Sequence, residues 1–449
     1  MTLRPSSVTC IPNASLPAYS IRTLTHSAFW PVRNTIVSRC GNALCIAHYT
    51  TTTTMKKSLL ARAISGIALI VAPVIAVPGL VQAQQPIRIG ATMSETGAYA
   101  TQGVPARAGY LLCQKHVNAK GGILGRKIEF LIYDDKSDAK GAVGLYEKLI
   151  VEDKVDAVMG PYGSPITEAV APVTEKHRKV MLTPLAATSS IWEQGRRYIF
   201  MQLPPSELFL AGLIDMASGN GLKTVALINE DSLFPKSAVK GTLDLIKKKG
   251  MVVIFHEEYA KGRSDFSDIS RKVKAAKPDV LGVASSNLGD FIVVARQMKD
   301  LDINVKMFGN TGAVAEFHKE LGKTAEFSYG LSAWEPSLPY PGVKEFVEAY
   351  QKEFNRPPSF HAAGAYAGCQ LFMEAARRAG SLDSDKLREQ LLTLKTRTIF
   401  ADFAVDERGF QTANNGLFIQ WQDGVKVVVW PDELAAGKLR FPTPPWSQR

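Results

Sequence analysis

From Gln84 to about Asn310 the chain alternates short, continuously apolar runs with segments of helical period, and this alternation constrains the fold more than any other feature. The runs are "IRIGAT" (Ile87–Thr92), "KIEFLIYDD" (Lys127–Asp135), "VDAVMG" (Val155–Gly160) and "KVMLTP" (Lys179–Pro184). Between them lie a helix over Val104–Ala119 closed by "KGG", one over Ala139–Glu152 with Val143, Tyr146, Leu149 and Ile150 on one face, and one opening at Ser164. Strands without polar alternation are buried on both faces, so a βαβ series of this kind implies a parallel sheet with helices on each side. The pattern then restarts with "TVALINED" (Thr224–Asp231), "MVVIFHEEY" (Met251–Tyr259), "DVLGVAS" (Asp279–Ser285) and "VKMFGN" (Val305–Asn310), which predicts a second sheet.

Past Ala333 the order changes. "EPSLPYPG" reads as a Pro-rich crossing, followed by helices at Val343–Phe354, Ser359–Ala379 and 385–395. The pair "LFIQWQDGVKVVVW" carries a hairpin signal at Asp423-Gly424. The expected fold is α/β, with two similar lobes and a cleft between them. In such sheets ligands sit at the carboxyl ends of the strands.

One stretch stands at such an end. In "MGPYGSPITEA" (Met159–Ala169) a buried strand breaks at two glycines and restarts as a helix. Ser164 is a good N-cap, Pro165 suits the first helical position, and Glu168 adds charge to the first turn. The N–H groups of Ile166 and Thr167 are then expected to be free, with the positive end of the helix dipole behind them. Such a start either closes its own helix or holds an anion.

Net charge says little about partners once its placement is considered. The chain of 449 residues carries +11, but residues 1–83 hold Arg4, Arg22, Arg33, Arg39, Lys56, Lys57 and Arg62 and no acidic residue. Without them the balance is +4, so no nucleic-acid partner is expected. Met55-Lys56-Lys57, the apolar run from Ile64 to Leu80 and the small-residue site Val81-Gln82-Ala83 have the grammar of a secretory signal. Residues 55–83 are therefore read as a signal peptide cleaved near Ala83. Residues 1–54, with the run Thr50–Thr54 and no helical or strand period, are read as a non-native upstream extension. Cys113 and Cys369 are the two cysteines after the leader, each within a helical pattern; two buried thiols or one disulfide both fit.

Motifs for catalysis are scarce. No GxGxxG follows a strand, no P-loop occurs, Ser164 lacks the GxSxG frame, and His256-Glu257 has no second histidine at metal spacing. No cofactor, no metal and no enzyme activity are expected. "HAAGAYAG" (His361–Gly368) reads as a tightly packed core helix.

Five stretches, "IRIGATMSETGAYATQG", "HVNAKGGILGRKIEFLIYDDKSDAKGAV", "VMGPYGSPITEAVAPVTEKH", "MLTPLAATSS" and "KPDVLGVASSNLGDFIVVARQMK", resemble the substrate-binding proteins of branched-chain amino acid ABC transporters. These are the leucine-binding class of type I periplasmic binding proteins. The resemblance implies two Rossmann-like lobes joined by three crossovers, and the alternation above places lobe 1 at about 85–203 and 333–413 and lobe 2 at about 204–332 and 414–437, with a tail at 438–449. It implies a periplasmic receptor that closes on an amino acid or organic acid and delivers it to an ABC permease; a monomer is expected. A ligand-sensing regulator on the same fold and a cleft enzyme are the alternatives. Carried over by motif, the carboxylate-binding serine is Ser164, and Ala186 and Thr188 would receive the ligand's ammonium. "TPLAAT" has one residue more than the family's usual form. Phe234 would cover an apolar side chain, Asn287 stands where the family has a tyrosine, and Thr311 stands where it has the acidic ammonium partner. Tyr162 and Gln102 lie beside the expected cleft, and Asp290 and Asp231 are the nearest acidic residues.

Overall fold

The computed structural model describes residues 85–449, together with the backbone of three strands of the leader: β1 (Ser7–Pro12), β2 (Arg33–Cys40) and β3 (Ala43–Thr50). These three pair as an antiparallel sheet in the order β1-β3-β2, where the sequence pattern had announced no strand. The signal peptide read over 55–83 lies outside the described residues.

The first lobe is built on five parallel strands in the order β5-β4-β6-β7-β8. They are β4 (Ile87–Met93), β5 (Ile128–Asp134), β6 (Ala157–Met159), β7 (Met181–Thr183) and β8 (Ile199–Met201). Helices α1 (Ala100–Ala119), α2 (Ala139–Glu147) and α3 (Ser164–Lys176) connect them. Sequence reading placed four strands here. It missed β8, which is three residues long and whose place is set by pairing with β7, Met181 opposite Ile199.

The second lobe is a seven-stranded sheet in the order β10-β9-β11-β12-β13-β16-β17. Its parallel part comprises β9 (Thr224–Glu230), β10 (Val252–Tyr259), β11 (Val280–Ala284), β12 (Met307–Asn310) and β13 (Tyr329–Ser332). It is wrapped by α4 (Ala211–Gly219), α5 (Leu233–Lys248), α6 (Ser267–Ala276), α7 (Leu288–Asp300) and α8 (Ala315–Leu321). Every residue of β11 is buried, as is every residue of β12, which is why both read as unbroken apolar runs.

After β13 the chain returns to the first lobe as α9 (Val343–Phe354), α10 (Phe360–Ala379) and α11 (Ser384–Thr393). Helix α10 lies against α1 so closely that a Cβ on Gly109 would sit 2.2 Å from the Ala362 carbonyl oxygen. A disulfide between Cys113 and Cys369 joins the same two helices and decides between the two readings of those cysteines. A short ladder, β14 (Thr396–Arg397) with β15 (Asp402–Phe403), precedes the last passage to the second lobe. There β16 (Leu417–Gln422) and β17 (Val425–Trp430) add antiparallel strands beyond β13. Asp423 and Gly424 have φ of 53° and 80°, the positive values that a two-residue hairpin turn needs. Residues 438–449 fold back on the second lobe, where the Trp446 indole N–H donates to the Ile303 carbonyl at 2.8 Å. Among the described residues no helix is long and apolar enough to cross a membrane.

Candidate functional site

A cavity lies between the lobes at the carboxyl ends of the strands. Lobe 1 contributes Gln102, Tyr162, Gly163, Ser164, Leu185, Ala187, Phe360 and His361. Opposite stand Phe234, Ser285, Ser286, Leu288, Phe291, Thr311, Gly312 and Val314, with Leu203 and Phe209 at the crossing between the lobes. The space open to the centre of a water-sized sphere is about 60 Å³. At roughly 10–15 Å³ for each water on that measure, it holds a handful of waters or one small molecule.

The start of α3 forms the polar end of this wall, and its geometry differs from the sequence expectation. Gly163 is the N-cap residue, at φ 85° and ψ 145° with no side chain to cap, and Ser164 is the first helical residue. The Thr167 N–H is taken by the Gly163 carbonyl at 3.1 Å. Ser164 and Ile166 therefore carry the first-turn N–H groups that have no intrahelical partner, Pro165 having none to offer. Ser164 does not cap its helix. Its Oγ accepts the N–H groups of Ala187 and Thr188, each at 3.2 Å. A hydroxyl that accepts twice keeps its one proton for a further acceptor. Glu168 is past the first turn and takes the Arg196 guanidinium at 2.9 and 3.1 Å, which fastens α3 to the loop that follows Thr188.

Of the residues expected at the site, Gln102, Tyr162, Ser164, Phe234 and Thr311 line the cavity, whereas Ala186, Thr188 and Asn287 do not. Ala187 lines it in place of its neighbour, as the extra residue in "TPLAAT" allows. Thr188 is buried with its hydroxyl oxygen unpartnered. It stands at the N-cap of the short turn Ser189–Ile191 but makes no cap bond. Asn287 caps α7: its side-chain oxygen accepts the Gly289 N–H at 3.0 Å and its amide donates to Asp290. The Thr311 hydroxyl is committed both ways, donating to the Ser285 carbonyl at 3.1 Å and accepting the Ser285 N–H at 3.2 Å.

Several wall residues carried no sequence signal. His361, read as core, lies 3% exposed on the wall with Nδ1 unpartnered, and its ring meets Tyr162 edge-on at 5.3 Å. Burial, helped by the Lys426 charge, pulls its pKa down to about 3, so it is neutral in neutral solution. Phe209 and Phe234 pack edge-to-face at 4.9 Å. Behind Ser285 stand two buried acids, Glu230 and Asp290. Asp290 accepts from the Tyr259 hydroxyl at 2.7 Å, and burial raises its pKa. The Ser285 hydroxyl lies within donating distance of both carboxylates, and Glu230 keeps one oxygen, Oε1, without a partner. Lys261 of lobe 2 donates to the hydroxyl of Tyr99 on lobe 1 at 2.9 Å, a direct link between the lobes.

Fold and site together define a two-lobed binding protein. A family model described as periplasmic binding protein matches residues 86–426, and the chain belongs to that family. Among its relatives, the Leu/Ile/Val-binding protein homolog 7 of Brucella suis is 26% identical over 399 residues, covering 84% of this chain and 98% of the relative. A solved branched-chain amino acid transporter substrate-binding protein from Streptococcus pneumoniae, in complex with isoleucine, superposes with a TM-score of 0.70 at 23% identity. That match covers 77% of this chain and all of the other. A solute-binding protein of an ABC transporter from Rhodopseudomonas palustris, in complex with 3,4-dihydroxybenzoic acid, gives 0.67 at 24% identity, covering 76% and 95%. The family and these relatives are binding proteins, not enzymes. Among the described residues no cluster of three or more His, Cys, Asp or Glu could hold a metal ion.

Proposed function

We propose that this chain is a periplasmic receptor that captures an amino acid or similar small carboxylate between two closing lobes and delivers it to an ABC permease. The observation that carries the reading is the start of α3. There a serine hydroxyl with a proton to donate stands beside unpaired first-turn N–H groups, on the wall of a cavity that has no charged side chain in its lining. A carboxylate at such a start gains charge-assisted hydrogen bonds and the field of the helix dipole. The two ligand-bound neighbours support it, since isoleucine and dihydroxybenzoic acid are unlike except for their carboxylates. Lobe 1 comprises 85–203 and 333–413, lobe 2 comprises 204–332 and 414–437, and closure bends the three passages between them. A signal peptide over 55–83, an upstream extension over 1–54 and a monomeric mature chain complete the proposal.

A thermal-shift screen over amino acids and small organic acids, followed by calorimetry on the hits, tests it. Ser164→Ala is expected to weaken binding by about 1.5–3 kcal/mol, roughly 10–150-fold, because a hydrogen bond to a charged group is removed. Hits confined to uncharged compounds, or full affinity in the variant, would remove the helix start from the site.

A further inference from the structure

We infer that the cavity takes a carboxylic acid that carries no amino group, with a branched or aromatic hydrocarbon body. The inference rests on the reading of the α3 start as the carboxylate's seat, and the rest of the wall carries it further. None of the lining residues is Asp, Glu, Lys or Arg. A ligand with one negative end meets the donors of α3, and beyond them its body meets Leu203, Phe209, Phe234, Leu288, Phe291 and Phe360. An α-amino acid would bring a second, positive charge out of water into that same space. A buried ammonium is costly unless an anion pairs with it.

None of the candidate acceptors on the wall is an anion. Thr311 has its hydroxyl bonded both ways to Ser285. The Ser285 hydroxyl accepts the Asn287 N–H at 2.9 Å and is held by the buried acids behind it. Of those acids, Asp290 is supplied with donors by Tyr259, Ser285 and Asn287. Glu230 has a free oxygen but is not part of the wall, and it lies in the field of Lys261. What remains on the wall is the side-chain oxygen of Gln102, Nδ1 of His361 and the hydroxyls of Ser286 and Tyr162, all of them neutral. Neutral groups of this kind suit a hydroxyl or a water, and with no anion on the wall they do not offset a full positive charge.

Matched pairs that differ only in the amine decide the matter: 4-methylpentanoate against leucine, and 3-phenylpropanoate against phenylalanine, each titrated calorimetrically into the mature chain. The expected result is that at least one of the two acids binds and that its amino acid is at least about 10-fold weaker, the loss that leaving a buried charge unpaired implies. An amino acid that binds as tightly as its amine-free partner, or more tightly, overturns the inference. If Ser164→Ala still weakens that amino acid, the carboxylate seat stands while the exclusion of the amine fails. A loss of its affinity in Glu230→Gln would then identify the acid that reaches the amine. Binding by none of the four compounds overturns the inference as well.

Discussion

Gly163 sets the geometry on which the site depends. Its φ of 85° lies where a Cβ is costly, and it aims the chain so that Ser164 opens the helix toward the cavity. Gly163→Ala is therefore expected to cost about 1–2 kcal/mol of stability and to lower ligand affinity with it; urea unfolding and calorimetry on the same variant read both. His361 couples stability to protons. Burial pulls the folded-state pKa to about 3, below the ordinary value near 6.5. Between those limits the unfolded chain binds a proton that the folded one refuses, so this residue makes stability fall as pH drops from 6.5 toward 3. Urea melts of wild type and His361→Gln at pH 7.5 and pH 4.5 should show the wild type losing more than the variant on acidification. An equal loss would mean that other groups set the acid limit.

Among the elements, the contact of α1 with α10 ties the early and late parts of lobe 1 together. Small residues bring the two backbones close at Gly109 and Ala362, and the Cys113–Cys369 disulfide spans 256 residues of sequence there. Closing so long a loop restricts the unfolded chain, and replacing both cysteines by serine is expected to cost about 2–5 kcal/mol. Reductant should destabilise the wild type by a similar amount and leave the double variant unchanged, as urea midpoints would show. Since α10 carries His361 and α1 carries Gln102, loosening this pair should also weaken ligand binding.

For the molecule as a whole, the proposed function makes closure of the lobes the functional coordinate. The Lys261–Tyr99 hydrogen bond joins the lobes directly. At the crossing, Glu207 takes a hydrogen bond from Ser189 on one side and from Ser237 on the other, the latter at 2.7 Å. A ligand that contacts both lobes favours the closed state by its differential contacts. Small-angle scattering should thus give a smaller radius of gyration at saturating ligand than without it. Tyr99→Phe removes one clasp and is expected to raise the dissociation rate about 2–10-fold, in line with one hydrogen bond. An unchanged radius at proven saturation would count against hinge closure.

The sequence by itself determined the two-sheet α/β plan, because strands buried on both faces and the helices between them leave periodic signals that need no knowledge of the partner surface. It also located the break at Met159–Ala169, since glycine, serine and proline mark local backbone geometry. Strand β8 and the tail's place on lobe 2 came only with the tertiary structure, for each is fixed by what lies beside it rather than by its own residues. The same holds inside the cavity. Ser164 was legible as a helix start, but its bonds to the N–H groups of Ala187 and Thr188, which free its proton, depend on a loop more than twenty positions away. Ala187 stands on the wall in place of Ala186, as the extra residue in that loop allows, and Asn287 became a cap because its side-chain oxygen accepts the Gly289 N–H at the start of α7. His361, hidden among alanines and glycines, came to the wall only because α10 packs beside α1. Local chemistry is written in short patterns along the chain; which side chains face a common space is decided by packing between segments hundreds of residues apart.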